Sequence, residues 1–400
     1  MHPTLVRRAA PALLALLAAA SPLAAQKTRF EVVGRAPVTR TRLTGLALVH
    51  RGGRDYAYAG TFGDCGGCVG GRVYAWDVTD PAHPALTDSV MLDARVVNAV
   101  ATNADGTLAV ATREGASSRR NGIVVLDLAD PAHPKVAGDY WETLLGGAHA
   151  VAVDGKYAYV ADMGTAELAV LDLSDPREPK EVARYGVPDS PGRFLQDVSV
   201  KDGLAYLSYW NDGLVVLDVG NGMRQGSPTH PRLVGQFRYQ TNWRNFRYGN
   251  TAYAFPYTSR AGHRYVLVTD HILASHSDLS RRFETGGFVH VFRVDNVESP
   301  VEVARYTATG SGVHALTVEN DTMYAAAWGG GVRAVDLSGD LRGELHGREL
   351  ASYDTQDAVA GVPNVPFAWA AVPHGGLVYV TDFNSGLWIL RLVPGAGGAQ

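Results

Sequence analysis

The sequence predicts an all-β protein: a seven-bladed β-propeller of four-stranded antiparallel blades, its last blade closed by the N-terminal strand. Three observations predict it. An apolar phrase ending in Asp or Arg recurs seven times. The copies are spaced as four-strand units are spaced. No segment shows sustained helical periodicity.

The phrase is clearest as Val73-Tyr-Ala-Trp-Asp-Val-Thr-Asp-Pro-Ala-His-Pro84, Ile123-Val-Val-Leu-Asp-Leu-Ala-Asp-Pro-Ala-His-Pro134 and Leu168-Ala-Val-Leu-Asp-Leu-Ser-Asp-Pro-Arg-Glu-Pro179. Weaker copies begin at Leu214, Val289, Val332 and Leu387. With Asp77, Asp127, Asp172, Asp218, Arg293, Asp336 and Arg391 as equivalents, the steps are 50, 45, 46, 75, 43 and 55 residues. The long step places an insertion in the fifth repeat, at about 260–287.

The third repeat shows the order within a blade. His149–Val153 is an apolar strand, and Asp154-Gly155 supplies the positive φ of a tight hairpin. Tyr157–Ala161 and Leu168–Leu173 are the next two strands. Asp175-Pro176 opens a turn, because the Asp carboxylate accepts backbone amides and Pro presets φ. Lys180–Tyr185 is an outer strand with a charged face. Phe30–Pro37 looks like that outer strand and like Pro300–Tyr306, whereas the last repeat stops at Leu392. The N-terminal segment is therefore expected to supply the missing fourth strand, which removes an exposed sheet edge.

The three clear copies resemble the LVIVD-repeat family of exported bacterial β-propellers, and the likeness extends from about Phe30 to Leu392. Repeats four to seven depart from it: Gly220-Asn221-Gly222 replaces the Asp-Pro turn, and Arg293 and Arg391 replace the strand Asp. The resemblance implies a propeller, export and a periplasmic or surface role, with no catalytic residues to carry over.

Residues 1–25 read as a secretory signal. Arg7 and Arg8 precede an Ala/Leu stretch from Ala12 to Ala20, Ser21-Pro22 breaks it, and Ala24-Ala25 suits cleavage before Gln26. The stretch is too short for a comfortable membrane span, so no transmembrane anchor is expected. Residues 26–393 then form one propeller and 394–400 a flexible tail. The location expected is the periplasm or the exterior. Removing residues 1–25 leaves 34 basic against 40 acidic residues, a net charge of −6. Without a dense Lys/Arg run, this balance argues against a nucleic-acid partner.

Aligning the first two strands of the repeats gives two rows that should meet at one mouth of the central channel. Asn98, His149, Gln196 and His314 stand in the first, and Asp162, Asp270 and Asp382 in the second. Trp210, His271 and Trp328 follow the second row. Imidazoles and carboxylates converging from several blades suit a small or protein ligand, or a divalent metal held by His149, His314, Asp162 and Asp382. A competing reading makes the Asp residues turn-holders and the His residues partners of backbone carbonyls. Cys65 and Cys68, in an exported chain, favour a local disulfide. The segments 260–287, with His263, His271, His276, Arg281 and Arg282, and 239–257, rich in aromatic residues and Arg, are further candidate surfaces. No serine-nucleophile elbow or phosphate loop is present. The expectation is an exported binding scaffold for an unknown protein or small ligand. The alternatives are a metal-dependent hydrolase or lyase at the same mouth, and a structural envelope protein.

Overall fold

Each copy of the repeated phrase folds as the third strand of a blade, as in Gly122–Asp127, Leu168–Asp172 and Gly213–Asp218. These strands are apolar on both faces because a neighbouring sheet covers each side. Their terminal Asp ends the strand by accepting the amide two residues on. Asp77, Asp127, Asp172 and Asp336 bond Thr79, Ala129, Ser174 and Ser338 at 2.7–3.0 Å. The Asp of each Asp-Pro turn repeats the device, from Asp80, Asp130 and Asp175 to Ala82, Ala132 and Arg177. The phrase is thus a strand with two consecutive Asp-capped turns built into its end.

The computed structural model describes residues 28–38, 40–63, 69–188, 193–242, 249–273 and 285–395. Within them the chain forms seven principal β-sheets, one per blade. The innermost strands are Arg42–Arg51, Val100–Thr102, Ala148–Asp154, Asp197–Lys201, Thr251–Thr258, Ala315–Glu319 and Ala368–His374. Among the described residues there is no α-helix, only a 3₁₀ turn at His346–Arg348. Among those residues no helix is long and apolar enough to cross a membrane.

The chain ends meet in blade 7, where Thr28–Ala36 pairs antiparallel with Gly386–Pro394. In every blade the pairing of third and outer strands shifts by one residue near its middle. The N-terminal strand carries the same bulge between Val32 and Gly34. It therefore occupies the outer-strand position in full, and Arg35 falls where Arg184 and Arg305 fall in blades 3 and 5. Seven core clusters of the described residues each fill the gap between two neighbouring blades, and an eighth gathers Trp328, Phe367 and Phe383. Stability is spread around the ring as nearest-neighbour terms.

Blade 5 departs from the expectation in two ways. Arg264–Asp270 is its second strand, so the excursion expected over 260–287 starts only after Asp270. It begins and returns through the short pair Ile272–Leu273 and Thr285–Gly286. Blade 5 also gains a fifth strand, Gly343–Glu344, which comes from the blade 6 connection and lies parallel to Val301–Tyr306. Residues 1–25, the Cys65–Cys68 pair, His276, Arg281 and Arg282 lie outside the described residues, as does the tail from 396.

Candidate functional site at the channel mouth

The first strand begins and the second ends at one end of the ring, as the pairs Ala148–Asp162, Thr251–Asp270 and Ala368–Asp382 record. In blades 1, 3, 5 and 7 the first strand bulges at this end. A bulge inserts an unpaired residue and re-aims its side chain. The bulged Gly45, His149, Ala252 and Trp369 all line the central cavity, together with Asn98, Gln196 and His314. That cavity measures 380 Å³ and is walled further in mainly by small apolar residues of the inner strands.

Four side chains at the rim form a directed chain of hydrogen bonds. The Trp210 indole donates to Gln196 Oε1 at 2.8 Å. The Gln196 amide then faces His149 Nε2 at 2.7 Å, and His149 Nδ1 faces Glu114 at 3.3 Å. An indole only donates and a carboxylate only accepts. The chain therefore fixes the amide orientation of Gln196 and sets His149 as the Nδ1–H tautomer. Asn98 ties the inner strand of the next blade to this chain by donating to the His149 carbonyl at 2.9 Å.

On the other side of the mouth stands an aromatic collar. It is built from residues one or two past the end of the second strand in successive blades, Trp210, His271, Trp328 and Phe383, joined by Phe62. His271 stacks on Trp328 at 5.2 Å, and His314 touches Trp328 and Trp369 at 4.4 and 4.3 Å. Phe383 stacks on Trp369 and meets Phe62. Trp210 and Trp328 hold positive φ values of 22° and 46°, which is costly for bulky residues. The turn that imposes this backbone also presents the indoles at the rim.

The polar groups of the collar are held uncharged. Burial pushes His271 down to about 3, and the nearby His314 and His149 act in the same direction. Burial likewise takes His314 down to about 4 against the opposing bond from its ring to the Trp369 carbonyl. That bond, Nδ1 to the carbonyl at 2.7 Å, leaves the His314 Nε2 lone pair unused by it. Among the described residues His271 has no hydrogen-bond partner at either ring nitrogen, although both are buried. Deeper in, burial raises the carboxyl of Asp197, which lines the cavity, to about 7.

The three aspartates of the second row are placed differently from the expectation. Each is fully buried, and none lines the cavity. Asp162 accepts from Gly164 and Thr165 of its own turn and from Arg184 at 2.6 Å. Asp382 accepts from Thr355 and from the amides of Phe367, Asn384 and Ser385. Asp270 accepts from Thr241, the Phe288 amide and His290. Their oxygens are occupied by their own hairpins, by connecting segments and by neighbouring strands, so His149, His314, Asp162 and Asp382 are not brought together as a metal-ligand set. Sequence alignment missed Glu114, Phe194, Trp369 and Asp197. Trp369 was offset by one residue because of the bulge, and Phe194 lies in the connection before blade 4, between the His149 and Trp210 rings.

Comparison with known proteins agrees with this architecture. The LVIVD-repeat family matches residues 118–142, 145–187 and 192–241, which span the later part of blade 2 and blades 3 and 4. No curated protein sequence matches the chain. Among solved structures it is similar to the β-propeller domain of Cps50 (Swd1) from Myceliophteria thermophila, with TM-score 0.58 and 10% identity over 90% of this chain and 99% of that one. It is also similar to Sqt1 of Saccharomyces cerevisiae, with TM-score 0.58 and 8% identity over 92% and 100%. A computationally designed protein, Ika8, gives 0.56 and 10% over 90% and 99%. Identities this low speak for the fold alone. Taken together, the repeated phrase, the seven sheets and the family match show a β-propeller that carries LVIVD repeats across residues 118–241.

Proposed function

We propose that the protein is a binding scaffold whose ligand enters the collared mouth of the central channel. The observation that carries this reading is His271. An imidazole always has a donor, an acceptor or both to satisfy, and leaving them unpaired in a buried site costs free energy. Among the described residues His271 lacks partners at both nitrogens while facing the rings of Trp328, Trp210 and His314. A flat molecule with a hydrogen-bond donor fits this chemistry. Its ring would lie among the indoles, and its donor would meet an imidazole lone pair. Neutral imidazoles and a carboxyl near neutrality disfavour a strongly anionic ligand.

The test uses small probes of this kind. Indole, phenol and benzamide should each change the tryptophan fluorescence saturably. His271→Phe keeps the stacking and removes the hydrogen bond, so it should weaken binding by about tenfold, the equivalent of one hydrogen bond. Equal affinity in wild type and His271→Phe would remove the basis of the proposal. We also propose that the scaffold works outside the cytoplasm, on the strength of the 1–25 segment. Protein recovered from cells should then have a mass beginning at Gln26, and an intact N-terminus would refute export by this signal.

A further inference from the structure

The end of the ring opposite the collar holds a second cluster of titratable side chains, and it lies on the seam where the chain closes. His50 and Asp55 are cross-strand partners in the first hairpin of blade 1, just before and just after its Gly52-Gly53 turn. His374 is the last residue of the innermost strand of blade 7, next to its own Gly375-Gly376 turn. His50 Nδ1 lies 2.7 Å and His374 Nε2 2.9 Å from the same oxygen, Oδ1 of Asp55. One potential ligand atom from each of the three lies within 4.8 Å of the others, and this is the only such group of His, Cys, Asp and Glu among the described residues.

We propose that His50, Asp55 and His374 form a binding site for a divalent first-row transition ion, of which Zn²⁺ is the type, and that the ion ties blade 1 to blade 7. Two imidazoles and a carboxylate are a donor set such ions accept, with water filling the remaining positions. Metal–ligand bonds of about 2.0–2.2 Å at tetrahedral angles place neighbouring ligand atoms roughly 3.4 Å apart. The two imidazole–carboxylate contacts must therefore open by roughly half an ångström. The His50 side chain is 60% exposed and free to make that adjustment, while Asp55 and His374 are mostly covered and supply the fixed part of the site.

The surrounding charges permit an ion. Arg54 is engaged by Asp77, and Arg51 donates to the Leu128 and Gly106 carbonyls, so neither guanidinium occupies the cluster. Asp55 accepts from both rings. The ion would replace the proton that each ring shares with the carboxylate. Because the ligands come from the first and the last blade, binding stabilises the closed ring over any opened form.

The experiment uses untagged full-length protein, stripped with a chelator and dialysed. Zn²⁺ should bind at one equivalent per chain, and at hundredfold excess over Kd it should raise the melting temperature by roughly 3–5 °C. His50→Ala, His374→Ala and Asp55→Asn should each lose that rise, whereas His149→Ala, at the opposite end, should keep it. Cu²⁺ gives an independent reading: its electron paramagnetic resonance should show two coordinated imidazole nitrogens in wild type and one in His50→Asp, which retains a ligand. No stoichiometric Zn²⁺ at 100 µM free ion would overturn the site. So would a Zn²⁺-induced rise, or a nitrogen count, that is unchanged when His50 and His374 are replaced.

Discussion

His290 shows at the scale of one residue why a buried titratable group need not be a site. It is fully buried in the third strand of blade 5, with Nε2 3.0 Å from Asp270 and Nδ1 2.8 Å from Glu302. Burial disfavours its charged form, but the two carboxylates outweigh burial and hold its pKa above the ordinary value of 6.5. Burial also opposes ionisation of Glu302, yet the bonds from His290 and Arg305 bring it down from 4.5 to about 2. The signs then follow from linkage. Glu302 contributes its stability above 4.5 and loses it as pH falls through about 2. His290 contributes fully below 6.5 and loses it as pH rises through its folded value. The network should therefore stabilise most between about pH 4.5 and 6.5. Replacing His290 by Gln leaves Asp270 without its cation and Glu302 with Arg305 alone, at a cost of about 3 kcal/mol near pH 5.5. The melting-temperature gap between wild type and His290→Gln should narrow on either side of that window. A gap that stays constant from pH 5.5 to 9 would mean that His290 is neutral in the fold. Asp270, which sequence alignment placed at the channel mouth, belongs to this network. Its sequence position gave its height along the ring, but not the partners Thr241, Phe288 and His290 that draw its carboxylate away from the channel.

At the scale of the element, strands and turns were legible and their irregularities were not. The apolar run of Leu168–Leu171 and the Asp-capped turns that follow it act through neighbours in sequence, so the phrase alone reports them. The likeness of Phe30–Arg35 to Lys180–Tyr185 held even to the shared bulge, because both strands meet the same partner geometry. The bulges of the inner strands were invisible, since a one-residue insertion leaves the apolar pattern nearly intact. They nevertheless decide the site: in blade 7 the bulge brings Trp369, not Ala368, into the cavity. The strand Gly343–Glu344 was equally hidden, being two residues long and paired to a different blade. Of the candidate site, His149, His314, Asn98 and Gln196 were readable as cavity-lining positions. The three aspartates were misplaced because Asp before a Gly-rich turn carries the same signature whether it faces a ligand or its own hairpin.

For the whole molecule the decisive contact is the closure of blade 7. The strand Thr28–Ala36 covers the edge of Gly386–Pro394, and Phe30 joins the core shared by blades 6 and 7. Arg35 lies over the Trp388 ring at 3.8 Å and pairs with Asp357, so the closing strand also reaches the connection leading into blade 7. A ring of nearest-neighbour interfaces loses most when an element that completes a blade is removed, since an uncovered edge and an opened core appear together. Deleting residues 26–38 should leave a chain that melts well below the full-length protein or aggregates. A permuted chain separates closure from mere loss of residues. Thr28 pairs with Pro394, so a short linker after residue 395 can return the chain to Thr28, with the new ends opened just past Ala36. That permutant keeps every pairing of blade 7 and should melt within a few degrees of the natural order. If the deletion melts like the full chain, the N-terminal strand contributes nothing to closure. If both the deletion and the permutant collapse, the continuity of residues 36–42 holds the ring, and not the strand pairing.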